Sequence, residues 1–121
     1  MGYLYVFIGG GIGAMVRYAI SGWLGQGTEN GIPWHTLLSN FLACLLAGML
    51  MAWLPKTGFY TDGRLWLLTG FCGGFSTFST FGLELMFMVQ RGQYNHAAVY
   101  IALSLSAAIV GVVMGWKLLT A

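Results

Sequence analysis

The residues best suited to chemistry lie in one short stretch, residues 70–81, inside an otherwise apolar segment. The stretch combines adjacent glycines, four hydroxyl side chains and four phenylalanines. Glycine weakens a helix interior, and non-helical backbone at membrane depth is tolerated only where protein buries it or where it lines a watery cavity. The composition therefore predicts a helix break near Gly73–Ser76 and a site where something polar is handled within a membrane.

Phenylalanines recur every third residue here, at Phe75, Phe78 and Phe81, with hydroxyls filling the gaps. Because an aromatic ring has a positive edge, such rings could contact an anion without a full charge that would hold it too tightly. Backbone carbonyls freed by an unwound Gly73–Gly74 could coordinate a cation, whose charge would favour the anion. A phenylalanine stripe facing lipid, with hydroxyls bonded to their own helix, is the alternative.

Two more polar residues lie in the first two apolar segments. A charge such as Arg17 is energetically costly within an apolar segment, which by default indicates a functional residue. Alternatively, Arg17 extends its guanidinium to the near interface. Asn40 offers two N–H donors, which suit an anion, or it forms an interhelical hydrogen bond of about 0.6 kcal/mol. The nearby His35 is predicted to lie at the interface without a functional role.

Glu84 is the one acidic residue within an apolar segment of the sequence. It could carry a proton or a cation, pair with Arg17, or lie in a vestibule. On the last segment, Tyr100 and Ser104 share a helical face with small residues, which favours a polar track above a packing seam. The small residues are Ala108, Gly111 and Gly115.

The composition assigns these residues to a membrane protein. Of 121 residues, 58% are hydrophobic and 7% are charged, against about 25% charged in soluble domains. A net charge of +2 gives no nucleic-acid signal. Cys44 and Cys72 lack the flanking pattern of a zinc site or disulfide framework and are interpreted as small buried hydrophobes.

Four segments reach the roughly 20 residues that span a bilayer, and together they predict a single transmembrane domain, residues 1–121. They cover about residues 3–24, 34–54, 64–90 and 96–118. Short connections with turn residues join them at 25–33, 55–63 and 91–95. The five tryptophans lie near segment ends, as an interfacial aromatic belt requires.

Charge placement leaves the orientation in the membrane open. Lys56, Arg64 and Lys117 fall on one side, against Arg91 on the other and Arg17 on the way to it. The positive-inside rule does not choose between two insertions this evenly charged. The chain could therefore insert both ways and form an antiparallel homodimer, or it could insert with a weak single preference.

The glycine-rich start, residues 9–14, matches the loose dinucleotide pattern G-x-G-x-x-A. The setting excludes that interpretation, because no strand-to-loop pattern precedes it. The pairs Gly9/Gly13 and Gly10/Ala14 instead predict close helix packing of the small-xxx-small type.

Taken together, the motifs resemble the Fluc (CrcB-type) fluoride channels of bacteria, over the whole chain. Residues 10–18 resemble the first-helix pattern G-G-x-G-A-x-x-R-[YF], and Asn40 matches a second-helix asparagine. Residues 70–81 resemble the long and specific pattern G-F-x-G-G-[LF]-[ST]-T-F-S-T-[FW]. Ser76 stands where threonine is commoner.

This resemblance implies an all-α membrane protein that is not an enzyme: an antiparallel, dual-topology homodimer with four transmembrane helices per subunit. It implies two fluoride pores in the bacterial inner membrane and a structural Na⁺ at the dimer centre, held by the backbone carbonyls of Gly73 and Ser76. Arg17 and Glu84 match recurrent polar positions without an assigned role. The implied fluoride pathway consists of Asn40, Phe78, Ser79, Thr80, Phe81, Tyr100 and Ser104.

Passive export of fluoride makes chemical sense. Hydrogen fluoride is a neutral acid that crosses membranes and ionises inside, and the membrane potential drives the ion out at about 2.3 kcal/mol per charge per 100 mV. The alternative function is that of a small proton-coupled cation or drug antiporter that would use Glu84. That chemistry typically needs a carboxylate on the first helix, where this sequence has Arg17.

Overall fold

The computed structural model describes residues 1–25 and 31–120, and these residues form helices joined by short turns. The elements, in chain order, are α1 (Gly2–Leu24), α2 (Trp34–Trp53), a 3₁₀ turn (Leu54–Lys56), α3 (Tyr60–Gly63), a π-helix (Arg64–Cys72), α4 (Gly73–Phe75), α5 (Ser79–Gln90) and α6 (Tyr94–Thr120).

Within these described residues, four helical stretches are long and apolar enough to cross a membrane. They are Gly2–Leu24, Trp34–Lys56, Tyr60–Gln90 and Tyr94–Thr120. This confirms the prediction of an all-helical chain with four spanning helices. Of the predicted connections, the one at 25–33 lies partly outside the described residues.

Glycines bring α1 into backbone contact with the third span, Tyr60–Gln90. A Cβ on Gly9 would collide with the carbonyl oxygen of Trp66, and one on Gly13 with that of Phe71. From the other side, a Cβ on Gly74 would collide with the carbonyl oxygen of Gly10. The predicted small-xxx-small packing of α1 is confirmed, and it fixes the third span against the first.

The second close pair joins α2 to α6. A Cβ on Gly48 would collide with the carbonyl oxygen of Val112, and one on Gly115 with that of Leu45. A Cβ on Gly111 would lie 3.1 Å from the Cβ of Cys44. The seam predicted on the last helix is confirmed, and α2 is its partner.

The third span changes its helical geometry along its length. It is π-helical from Arg64 to Cys72 and α-helical over Gly73–Phe75. Gly73 keeps helical dihedral angles (φ −64°, ψ −37°), whereas Ser76 is extended (φ −82°, ψ 158°). The next helix begins at Ser79. The non-helical residues are thus 76–78, just beyond the glycine pair that the sequence singled out.

Candidate functional site

The amide of Asn40 forms two hydrogen bonds with the backbone of Thr77. The Thr77 N–H donates to Asn40 Oδ1 at 2.7 Å, and Asn40 Nδ2 donates to the Thr77 carbonyl at 3.2 Å. An α2 side chain therefore satisfies both backbone groups of the central non-helical residue, as buried backbone requires. Because Nδ2 carries two hydrogens, one N–H remains for another acceptor.

The hydrogen bonds of Thr77 leave two nearby carbonyls without their helical donors. In an α-helix the Gly73 carbonyl would accept a hydrogen bond from the Thr77 N–H, but here that N–H bonds to Asn40. The Ser76 N–H, which is nearer to Gly73 in sequence, bonds to the Cys72 carbonyl at 2.9 Å. The Ser76 carbonyl would accept from Thr80 N–H, which donates to Thr77 Oγ1 at 3.2 Å. The carbonyls of Gly73 and Ser76 thus lack these helical donors, which fits oxygen ligands for a cation.

Arg17 does not pair with Glu84. Its Nε donates to the Gly74 carbonyl at 3.2 Å. The Gly74 carbonyl would otherwise accept from the N–H of Phe78, four residues on. Arg17 from α1 and Asn40 from α2 therefore both bond to the backbone around residues 74–77.

A groove with a volume of about 210 Å³ lies beside this interruption. The amide of Asn40, the ring of Phe78 and the hydroxyl of Ser104 come together there, and no described residue that lines it is charged. Its lining residues are Asn40, Cys44, Ser76, Thr77, Phe78, Phe81, Ser104, Leu105 and Ala108.

Three aromatic rings form one wall from the groove into the protein. The centroids of Phe78 and Phe81 are 5.7 Å apart, and those of Phe81 and Tyr100 are 5.0 Å apart. Their interplanar angles are 40° and 60°, so neighbouring rings are tilted against one another. Phe78 is 83% exposed in the single chain, whereas Phe81 is 9% exposed.

The remaining hydroxyls of the predicted pathway occupy different surroundings. Ser104 is one of the residues that line the groove, and its Oγ is buried without a hydrogen-bond partner in the described part of the chain. Ser79 Oγ lies 3.4 Å from Thr77 Oγ1, and the Thr80 N–H donates to that same oxygen, as at a helix N-cap. Tyr100 is fully buried and lies away from the groove.

Glu84 lies in a separate polar cluster, the Glu84 cluster, made of His35, Thr36, Glu84 and Tyr100. The Thr36 hydroxyl donates to Glu84 Oε2 at 2.8 Å, and the Tyr100 hydroxyl donates to Oε1 at 2.7 Å. His35 Nε2 lies 3.3 Å from Oε2, and the side chains of His35 and Glu84 are 11% and 10% exposed. Three side chains from two helices, α2 and α6, thus hold this carboxylate.

Two sequence interpretations change here. His35 was expected at the interface without a role, but it is buried against Glu84 because α2 turns this residue toward α5. Cys44, interpreted only as a small hydrophobe, lines the groove. The helical repeat that links Thr36, Asn40 and Cys44 was the signal for Cys44; no local signal marked His35.

Known proteins resemble this chain over nearly its whole length. The model of a family described as CrcB-like protein, Camphor Resistance (CrcB), matches residues 4–116. A fluoride-specific ion channel FluC from Erythrobacter litoralis (strain HTCC2594) is 46% identical over 121 residues, which cover 95% of this chain and 89% of that protein.

Two more relatives bear the same name, fluoride-specific ion channel FluC. The protein from Rhodopseudomonas palustris (strain BisB5) is 38% identical, with 100% of this chain and 98% of that protein covered. The protein from Francisella tularensis subsp. tularensis (strain SCHU S4 / Schu 4) is 39% identical, with 93% and 90% covered. The chain therefore belongs to the CrcB family, the family that its first-span and third-span motifs resemble.

Proposed function

We propose that this protein is a passive channel that exports fluoride from the bacterial cytoplasm across the inner membrane. The observation that carries the proposal is the groove, in which amide and hydroxyl donors meet phenylalanine rings without a charged side chain among the described lining residues. The relatives named as fluoride-specific ion channels support the choice of ion, and they are channels, not enzymes.

Fluoride holds its hydration water tightly, so a pathway must replace that water with many weak donors. The free N–H of Asn40 and the unpartnered hydroxyl of Ser104 supply such donors. The positive edges of Phe78 and Phe81 add attraction without a full charge. Ser79, Thr80 and Tyr100 continue the pathway in this proposal, with Tyr100 acting from behind Phe81.

A central Na⁺ is part of the proposal. The carbonyls of Gly73 and Ser76 would hold it, since their helical donors bond elsewhere. When bound, the ion supplies positive charge that favours an anion nearby. In this chain, Asn40 keeps the Gly73 carbonyl available by accepting from the Thr77 N–H, and Thr77 Oγ1 keeps the Ser76 carbonyl available by accepting from the Thr80 N–H.

The working unit in the proposal is an antiparallel, dual-topology homodimer with two pores. The single chain leaves Phe78 83% exposed beside an open groove, so a second subunit could complete the wall. The near-even distribution of positive charges supports both insertions. Both subunits would then contribute the same residues to two equivalent pathways.

The proton-coupled antiporter is less well supported. Its carboxylate must be open to protons and substrate, whereas that of Glu84 accepts two hydroxyl hydrogen bonds and is 10% exposed. The relatives reported above are named as ion channels.

The test is fluoride efflux from liposomes that contain the purified protein, followed with a fluoride electrode. A cation ionophore lets positive charge leave with the fluoride, so that no opposing voltage builds up. We expect fast fluoride efflux without a proton gradient and no comparable chloride efflux. Retention of fluoride together with proton-coupled cation uptake would refute the channel and support the antiporter.

In the same assay, Phe78→Ile and Phe81→Ile should each lower fluoride efflux by about tenfold or more, because isoleucine offers no positive ring edge. Phe87→Ile is the matched control, since Phe87 is on the same helix as Phe81, is 44% exposed and does not line the groove. Gel filtration verifies that each variant keeps its assembly. Normal efflux in both Phe78 and Phe81 variants would remove the ring-edge argument.

A further inference from the structure

The Glu84 cluster contains the only histidine that the described residues bring against an acidic side chain. His35 Nε2 and Glu84 Oε2 are 3.3 Å apart, and both side chains are about nine-tenths buried. The other ring nitrogen, Nδ1, is buried and has no hydrogen-bond partner among residues 1–25 and 31–120. No second contact therefore fixes which nitrogen carries the proton or whether both do.

The cluster is connected to the proposed pathway through two aromatic rings. The Tyr100 hydroxyl donates to Glu84 at 2.7 Å, and its ring packs on Phe81, with centroids 5.0 Å apart. Phe81 lies one helical turn before Glu84 on α5 and lines the groove. A change of charge at Glu84 is thus separated from the groove-lining ring of Phe81 by one residue, Tyr100.

We propose that His35 is a pH-sensitive residue that raises fluoride conduction as the pH falls, by neutralising Glu84 beside the pathway. The proposal rests on the fluoride channel function proposed above. His35 does not contact the fluoride groove itself, so it acts through Glu84 and Tyr100.

The direction follows from the charges. Histidine is the side chain that normally gains its positive charge between about pH 5 and pH 8. When His35 is neutral, the Glu84 carboxylate leaves a net negative charge near the path of an anion. When His35 is protonated, the pair is neutral, and buried charges such as these are weakly screened by salt.

Other titratable groups lie on the helices that surround this pair. Tyr100 on α6 is hydrogen-bonded to Glu84. His96 lies one turn before Tyr100 on α6, is exposed and lines a small cavity with Ile32. Arg17 on α1 bonds to Gly74 and not to this cluster. His96 is therefore the second histidine that the experiment must separate from His35.

The experiment measures fluoride efflux from proteoliposomes with equal pH on both sides, with efflux from protein-free liposomes subtracted. We expect the wild-type rate to rise about fivefold from about pH 8 to about pH 5.5. His35→Gln should match the wild type at the higher pH and stay flat, whereas His96→Gln should keep the wild-type profile.

A wild-type rate that is independent of pH, or a His35→Gln rate that rises like the wild type, would overturn this inference while leaving the channel intact. Absence of fluoride efflux at every pH would instead refute the proposed function. If His35→Gln does not assemble, nuclear magnetic resonance of the wild type with labelled histidine replaces it. The His35 ring signal must then titrate over the same pH range as the efflux; a constant signal would overturn the inference.

Discussion

Asn40→Leu is expected to lower fluoride efflux about 30-fold. Leucine has a similar size but cannot bond to Thr77, so both backbone groups of that residue lose their partner. Two hydrogen bonds contribute about 1 kcal/mol each, and about 1.4 kcal/mol corresponds to a tenfold change. The freed Thr77 N–H would also return to the Gly73 carbonyl, which removes a proposed cation ligand.

Ser39→Ala is the matched control for Asn40→Leu. Ser39 is the preceding residue on α2, is 1% exposed, and its Oγ has no hydrogen-bond partner in the described residues. Its replacement should leave efflux near the wild-type rate. Equal efflux from Asn40→Leu and the wild type would show that the amide neither positions the backbone nor contacts the ion.

Alanine at Gly13 or Gly74 is expected to destabilise the protein by about 2–3 kcal/mol. The new Cβ would meet the Phe71 carbonyl oxygen and lie 2.8 Å from Phe75 N in the first case, and would meet the Gly10 backbone in the second. Backbone atoms cannot move aside as a flexible side chain can. The two helices must therefore separate.

Gly11→Ala and Gly82→Ala are controls on the same two spans, since a Cβ at either position meets nothing within 4 Å. Because alanine favours a helix by about 1 kcal/mol over glycine, these variants should be as stable as the wild type or more so. The measurement is the thermal unfolding midpoint of the purified protein in detergent. Equal midpoints for Gly13→Ala and Gly11→Ala would contradict the packing seam.

The parts of the fold that depend on local composition could be predicted. The apolar lengths gave the four spans, and the small residues at Gly9 and Gly13 indicated a close contact. The partner of each seam was not predictable, because any apolar helix can receive a small-residue face. The π-helix over Arg64–Cys72 also has no local signal, since its register depends on the contacts that α1 makes.

In the candidate site, too, residues marked by type or motif were predictable, whereas contacts between helices were not. Asn40 and Phe78 were singled out by residue type and motif, and both line the groove. The two bonds from Asn40 to Thr77 were not predictable, since they require α2 to face a non-helical residue at one height. The contact of His35 with Glu84 was not predictable for a related reason, since the two residues are far apart in the chain and only the packed helices bring them together.

The pairing of the spans has a consequence for biogenesis. The first span packs on the third and the second on the fourth, so neither tight pair consists of consecutive helices. The helices leave the ribosome in order, and α2 therefore has to wait in the lipid until α6 has been synthesised. Asn40 bonds from one pair to the other, because it lies on α2 and its partner Thr77 lies in the third span. A chain truncated before α6 would therefore keep the bonding partner of Asn40 but leave the small-residue face of α2 around Gly48 in the bilayer without its seam partner.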